Sequence, residues 1–252
     1  MGRLFHRLLY CLLSLEGYLR VVSRLFFLTR KLGFGRKGRA LEYNYYLPQL
    51  VGKGDVAIDI GANLGYYTRP LADIVGTEGA VYAVEPVPVI FSVLERNVWG
   101  RKNVHLMNYA LGAEECVVEM ANDSVAEAGY FGTGRNFVSE GALSGKAIKF
   151  TAQMRRGSEL FAKLERIDFI KCDIEGYERV VMPELQPLIE RHHPTVLIET
   201  DGDTRHQIIE MFEQMGYRAY MLQEGKEVKL DQESDKDIIF RFATATKGRN
   251  QA

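Results

Sequence analysis

The 252 residues suffice for one sizeable core plus an appendage, and 46% hydrophobic with 26% charged residues excludes a disordered chain. The three cysteines, Cys11, Cys116 and Cys172, form no C-x-x-C pair and no zinc-spaced cluster, which excludes a disulfide scaffold and points to a reducing, cytoplasmic setting. A net charge of −1 calls for no nucleic-acid partner, yet residues 1–40 hold nine Lys/Arg against Glu16 alone, a basic arm on an acidic body.

In chain order, residues 8–28 (LLYCLLSLEGYLRVVSRLFFL) are expected to form one long amphipathic helix. Glu16, Arg20 and Arg24 recur at i, i+4 and i+8 and mark a narrow polar stripe among Leu, Val, Phe and Tyr. Those charges interrupt the roughly 20 apolar residues that a membrane span needs. No small-residue cleavage site follows the apolar Leu8–Leu15 run, so a secretory leader is disfavoured. Two readings stay open. The helix docks on its own body or on a second copy in a homodimer, or it lies on the inner face of an anionic membrane as a peripheral anchor. Gly33, Gly35 and Gly38 read as a linker, which divides the chain into an arm at 1–39 and a main domain at 40–245.

A lead-in helix over 40–51 opens the main domain. Strands are expected at 55–60, 79–84, 103–108, 167–171, 194–199, 217–222 and 236–242, with helices at 65–75, 87–99, 177–190 and 204–215. Strands apolar nearly throughout, alternating with amphipathic helices, predict an α/β fold: a doubly wound, mostly parallel seven-stranded sheet covered on both faces. A turn at Glu224-Gly225 between the last two strands predicts an antiparallel pair at that edge. Residues 121–147 are rich in Gly, Ser and Asn and lack periodicity; they read as a lid or binding loop, or as a plain insertion.

In such a sheet, ligands sit beyond the carboxyl ends of the strands. The first strand runs into Asp59-Ile-Gly61-Ala-Asn63-Leu-Gly65, and the next helix begins near Gly65-Tyr66-Tyr67-Thr68. Glycines there allow a tight turn and close approach of backbone to a ligand, and the N–H groups of a helix start favour a carboxylate. Asp59 complements an ammonium, directly or through water. The second strand ends at Glu85, placed to accept both hydroxyls of a ribose. S-adenosylmethionine carries an ammonium, a carboxylate and a ribose. A dinucleotide suits the site less well, because G-x-G-x-x-G is missing. The later strands end at Lys171-Cys-Asp173-Ile-Glu175-Gly176-Tyr-Glu178 and at Glu199, which gathers acids on one rim. Asp173, Glu175 and Glu199 are the candidate bases. His105, His192, His193 and His206 qualify by pKa alone, and His192 and His193 fall at the far end of their strand. Two of the acids holding a divalent cation is a rival arrangement, not favoured.

The ordered set Asp59-Ile-Gly-Ala-Asn63-x-Gly65-Tyr66-Tyr67-Thr68, Val84-Glu85-Pro86, Ile170-Lys171-x-Asp173-Ile-Glu175-Gly176-x-Glu178 and Glu199 resembles the FkbM family of S-adenosylmethionine-dependent methyltransferases. The resemblance covers roughly residues 42–243. It implies a class I methyltransferase fold and O-methylation of a hydroxyl on a sugar or polyketide-type product. It implies a cofactor pocket made by Asp59, Gly61, Asn63, Gly65, Thr68 and Glu85, with Tyr66 of the same motif beside them. Asn108 is expected toward the adenine or ribose, and Asp173 toward the methionine end. The preferred acceptor is a saccharide or glycoconjugate, lipid-linked if the arm meets a membrane. The rivals are a small natural product as acceptor, a non-catalytic scaffold, and a nicotinamide-dependent dehydrogenase.

Overall fold

A computed structural model describes residues 2–36, 38, 41–139, 147–231 and 234–243. The basic positions Lys37 and Arg39 and the stretch 140–146 of the expected loop lie outside the described residues. The chain begins with α1 (Arg3–Leu12) and α2 (Leu15–Lys31). The expected single helix over 8–28 is therefore two. Ser14 is extended and its hydroxyl accepts the Gly17 N–H at 3.2 Å, which caps α2 and ends the run before it.

The division has a consequence for packing. In α2, Tyr18, Leu19 and Ser23 are at most 2% exposed, packed among residues of the neighbouring helix and the second sheet described below. The polar stripe is used internally: Glu16 lies 3.9 Å from Arg20 and 3.4 Å from Arg96. In α1, by contrast, Leu4, Leu8 and Leu12 are exposed by 81%, 57% and 71%. Among the described residues, no helix is long and apolar enough to cross a membrane.

After α3 (Glu42–Leu50) come β1 (Val56–Ile60), α4 (Thr68–Val75), β2 (Ala80–Val84), α5 (Pro88–Asn97) and β3 (Val104–Met107). Then follow β4 (Ala110–Leu111), β5 (Cys116–Asn122), α6 (Ser124–Ala128), β6 (Asn136–Val138), β7 (Ile148–Arg155) and α7 (Gly157–Leu160). The chain continues through β8 (Phe169–Cys172), α8 (Glu178–His192), β9 (Thr195–Ile198), α9 (Gly202–Gln214), β10 (Tyr217–Gln223), β11 (Lys226–Lys229) and β12 (Ile238–Phe242).

The main sheet has the order β11-β10-β12-β9-β8-β1-β2-β3. Strands β9, β8, β1, β2 and β3 are parallel, and β12 runs antiparallel to both of its neighbours. This corrects the expected seven-stranded sheet to a mixed one of eight strands. The seven expected strands are present. The eighth, β11, arises because Glu224 and Gly225 both adopt positive φ, 52° and 76°, and close a tight hairpin back onto β10. The expected antiparallel pair, β10 with β12, forms as well, but the Glu224-Gly225 turn does not connect it.

The core lies on both faces of this sheet. Ile58, Ile170, Val196 and Phe240 pack toward α8 and α9, while Ala57, Val81, Phe169 and Leu197 pack toward α3 and α4. A second, four-stranded sheet, β4-β7-β5-β6, occupies part of the region read as a loop. It sits beside the carboxyl end of β3 and carries residues 131–136 over the rim of the main sheet. The order of the main sheet reverses between β1 and β8, and a crevice opens there.

Candidate active site

At the end of β1 the chain turns through Gly61 and Asn63, both with positive φ, 75° and 52°. A Cβ on Gly61 would stand 1.9 Å from the carbonyl oxygen of Asp173, at the end of β8. Glycine is needed there so that the two strand ends can close against each other. Gly65, at φ 85°, has a different reason: a Cβ there would press on Leu94 of α5 at 3.0 Å. It packs a helix and does not face the crevice.

A cavity of about 630 Å³, its solvent mouth included, lies over this turn and is lined by Gly61, Asn63, Glu85, Thr133, Asp173 and Glu175, among others. That volume falls within the usual few hundred to 1,000 Å³ of ligand sites. Glu85 is 5% exposed, and its two oxygens accept the N–H groups of Asn63 and Val87, each at 2.9 Å. Burial, partly offset by those two donors, pushes its carboxyl up to about 7. Asn63 Nδ2 donates to the Thr133 carbonyl at 3.2 Å, tying the turn to the loop above it. Thr133, Gly134 and Asn136 form the roof, a contribution that the sequence did not single out.

Asp59 and Thr68 lie beneath this cavity. Asp59 is 1% exposed and accepts the Thr68 hydroxyl at 2.6 Å; burial raises its carboxyl to about 6, with the hydroxyl opposing. Asn108 also stands outside the lining, since its Nδ2 donates to the carbonyls of Glu85 and Pro86 at 2.7 and 3.1 Å. It braces the end of β2. Tyr66 turns the other way, its ring 4.2 Å from that of Phe26 in α2.

A second cavity, about 900 Å³ with its opening, is lined by Phe26, Tyr66, Tyr67, Asp173, Glu199 and Asp237, among others. Asp173 belongs to both linings, whereas Glu175 borders only the first cavity and Glu199 only the second. Burial first, then Asp173 and Asp237, raises Glu199; burial, then Asp173 and Glu178, raises Glu175 to about 7. Both residues keep much of their surface in solvent, which screens their charges more than those of Asp59 and Glu85. Asp237 is pushed up to about 6 by burial. Lys171, which the sequence reading left among motif residues, is 1% exposed and places Nζ 3.2 Å from Asp173 Oδ2. None of the histidines lines either cavity. Among the described residues no group of three or more His, Cys, Asp or Glu side chains is arranged to hold a metal ion.

The family model described as "Methyltransferase FkbM domain" matches residues 59–219, well over half of the chain. No curated protein matches the chain. Among solved structures it is similar to a methyltransferase FkbM from Methylobacillus flagellatus KT, with 12% identity and a TM-score of 0.49; the match covers 77% of this chain and 45% of that one, so this chain spans less than half of its length. It is also similar to a fibrillarin from Aeropyrum pernix with natively bound S-adenosyl-L-methionine (16% identity, TM-score 0.45, 76% and 68% covered). A further match is a putative rRNA-methylase from Clostridium thermocellum (11% identity, TM-score 0.49, 81% and 94% covered). The assignment rests on the family model: the chain belongs to the FkbM family of S-adenosylmethionine-dependent methyltransferases.

Proposed function

We propose that this methyltransferase holds S-adenosylmethionine in the cavity over Gly61, Asn63 and Glu85 and methylates a hydroxyl of a saccharide or glycoconjugate entering from the second cavity. The observation that carries the reading is Glu85. Its carboxylate is fixed by two backbone N–H groups, yet each oxygen keeps a further lone pair and the residue lines the cavity. That is the acceptor pair a ribose diol requires, so the residues fit the cofactor. Glu175, at another part of the lining, suits the ammonium of its methionine end, which leaves Asp173 for the acceptor. When bound, the cofactor supplies an electrophilic methyl group. The chain must align a hydroxyl oxygen with it, exclude water and take up the hydroxyl proton.

Asp173 is the base in this reading, with Oδ1 or Oδ2 receiving the proton, because among the three rim candidates it alone borders both cavities. The aromatic faces of Phe26, Tyr66 and Tyr67, beside carboxylate acceptors, suit the C–H face and hydroxyls of a sugar. The test is an acceptor screen with methyl-labelled cofactor over free sugars, nucleotide sugars, lipid-linked glycans and polyketide-type alcohols. Label in one of the saccharide classes supports the reading. Label confined to the polyketide-type alcohols replaces the acceptor class, and failure to bind the cofactor removes the reading altogether.

The arm enters this proposal in reduced form. The surface offered to an anionic membrane is α1, with Leu4, Leu8 and Leu12 at i, i+4 and i+8 beside Arg3; α2 is part of the core. Removal up to Leu41 would strip Tyr18 and Leu19 from the core, so the informative truncation begins at Ser14. Full-length protein is expected to sediment with anionic vesicles, less in high salt, while the version from Ser14 stays in solution. If neither sediments and only the full-length form dimerises, α1 is an assembly surface.

A further inference from the structure

Lys171 has no role in the reading above, yet it is the most deeply buried cation of the rim. Five groups act on its charge: Asp59 of β1, Tyr67 ahead of α4, Asp173 after β8, Glu199 after β9 and Asp237 ahead of β12. Its Nζ stands 3.2 Å from Asp173 Oδ2 and 4.9 Å from the centre of the Tyr67 ring, and makes no hydrogen bond of normal geometry among the described residues. Burial alone would lower the ammonium pKa, but Asp173, Tyr67, Asp237 and Glu199 together hold it above its ordinary range.

Stability does not explain such a lysine. Burying an ammonium is costly, and replacing a buried ion pair by apolar groups is often neutral or stabilising. The placement suggests another use. Asp173 follows β8 in a cluster of carboxyls: the charges of Glu85, Glu175, Glu178 and Glu199 are each disfavoured by it, and Glu199 shares a side-chain hydrogen bond with it. Wherever these neighbours ionise, their charge works against the inward placement of the Asp173 carboxylate. Lys171 opposes this, and Tyr67, whose ring packs over the ammonium, limits where the ammonium can move.

We propose that Lys171 is the positioning residue of the methyl-transfer site, holding the Asp173 carboxylate at the seam where the cofactor cavity and the acceptor cavity meet. The inference rests on the reading of Asp173 as the base. It predicts that Lys171 acts on turnover through Asp173 and leaves cofactor binding nearly untouched, since Lys171 does not line the cofactor cavity.

The experiment compares full-length Lys171→Arg, Lys171→Gln and Lys171→Met, using S-adenosylmethionine for calorimetry and the best acceptor of the screen for kinetics. A misplaced reacting group costs on the order of 10²-fold in rate. Loss of that order in kcat is expected for Gln and Met, with acceptor KM and cofactor affinity within a few-fold of wild type. Arg should recover most of the rate. Adding Lys171→Met to Asp173→Asn should cost nothing further. Rates that follow melting temperature rather than charge, or full additivity with Asp173→Asn, overturn the proposal. Asp173→Asn with normal turnover instead removes the base assignment itself. One readout needs neither an acceptor nor a folded Lys171 variant. The Lys171 ammonium, followed by ¹⁵N NMR at fixed pH, should change its chemical shift in Asp173→Asn, and an unchanged shift refutes the pairing.

Discussion

At the ends of β1 and β2, Asp59 and Glu85 are almost wholly buried, and each is met by fixed donors: the Thr68 hydroxyl for one, the N–H groups of Asn63 and Val87 for the other. At the ends of β8 and β9 and ahead of β12, Asp173, Glu199 and Asp237 crowd around a single ammonium, that of Lys171. Both halves of the rim concentrate carboxylates, but in the second they are coupled to one another and to one cation, Glu199 sharing a hydrogen bond with Asp173. Carboxylates held by backbone and hydroxyl donors keep one shape and suit a surface that must recognise a ligand. Carboxylates that share one cation repel one another, and suit a site where a proton changes hands. The proposed division of labour between the cavities follows from that contrast.

The largest expected effect lies on the second half. Asp173→Asn should lower turnover by about 10²–10⁴-fold, the usual worth of a general base, while calorimetry finds cofactor affinity within a few-fold. Equal losses of both would merge the two halves into one.

The next effect falls on the joint between them. In Gly61→Ala the new methyl meets the Asp173 carbonyl, and alanine must also hold a φ of 75°. Strain plus overpacking should cost about 2–5 kcal/mol, read as a lower melting temperature together with weaker cofactor binding. Normal melting and binding would show that the strand ends need not touch.

A smaller effect is shared by both halves. Glu85 is raised to about 7, and Asp59 and Asp237 to about 6, chiefly by burial. Carboxyls whose folded pKa is raised contribute stability below their unfolded values near 4, and lose it as pH rises through the folded ones. The cofactor-free protein should therefore melt at lower temperature at pH 8 than at pH 5.5. The difference expected from Glu85 alone is on the order of 2 kcal/mol. A melting temperature that is flat or rises over this interval contradicts the buried-charge account.

How far the sequence revealed these two halves follows from the kind of signal each carries. The β1 turn is legible because glycines at fixed offsets after an apolar strand have few other uses, and Glu85 is legible because one βαβ unit brings it to the same rim. Asn108 and Gly65 fall at the right places on the chain, but sequence does not tell whether a residue faces a cavity or braces it from behind. Lys171 is harder still, since a lysine in a strand is ordinarily exposed and its partners Tyr67, Asp173, Glu199 and Asp237 come from four segments. The second sheet carried a readable sign: Ile148–Arg155 alternates apolar and polar residues with period two. The Gly- and Ser-rich composition of 121–147 obscured it. In the arm, Ser14 followed by Leu15-Glu16 is a cap signal, and it marks the boundary between the buried helix and the exposed one.

The central claim is that the Glu85 cavity holds the cofactor, and titration calorimetry of S-adenosylmethionine into wild-type and Glu85→Ala protein tests it most directly. Two charge-assisted hydrogen bonds are lost in the variant, and loss of such bonds typically costs about 1.5–3 kcal/mol. The account predicts saturable binding to wild type and an affinity roughly ten-fold or more weaker in Glu85→Ala, with the fold retained by circular dichroism. Unchanged affinity in a folded Glu85→Ala protein would contradict it.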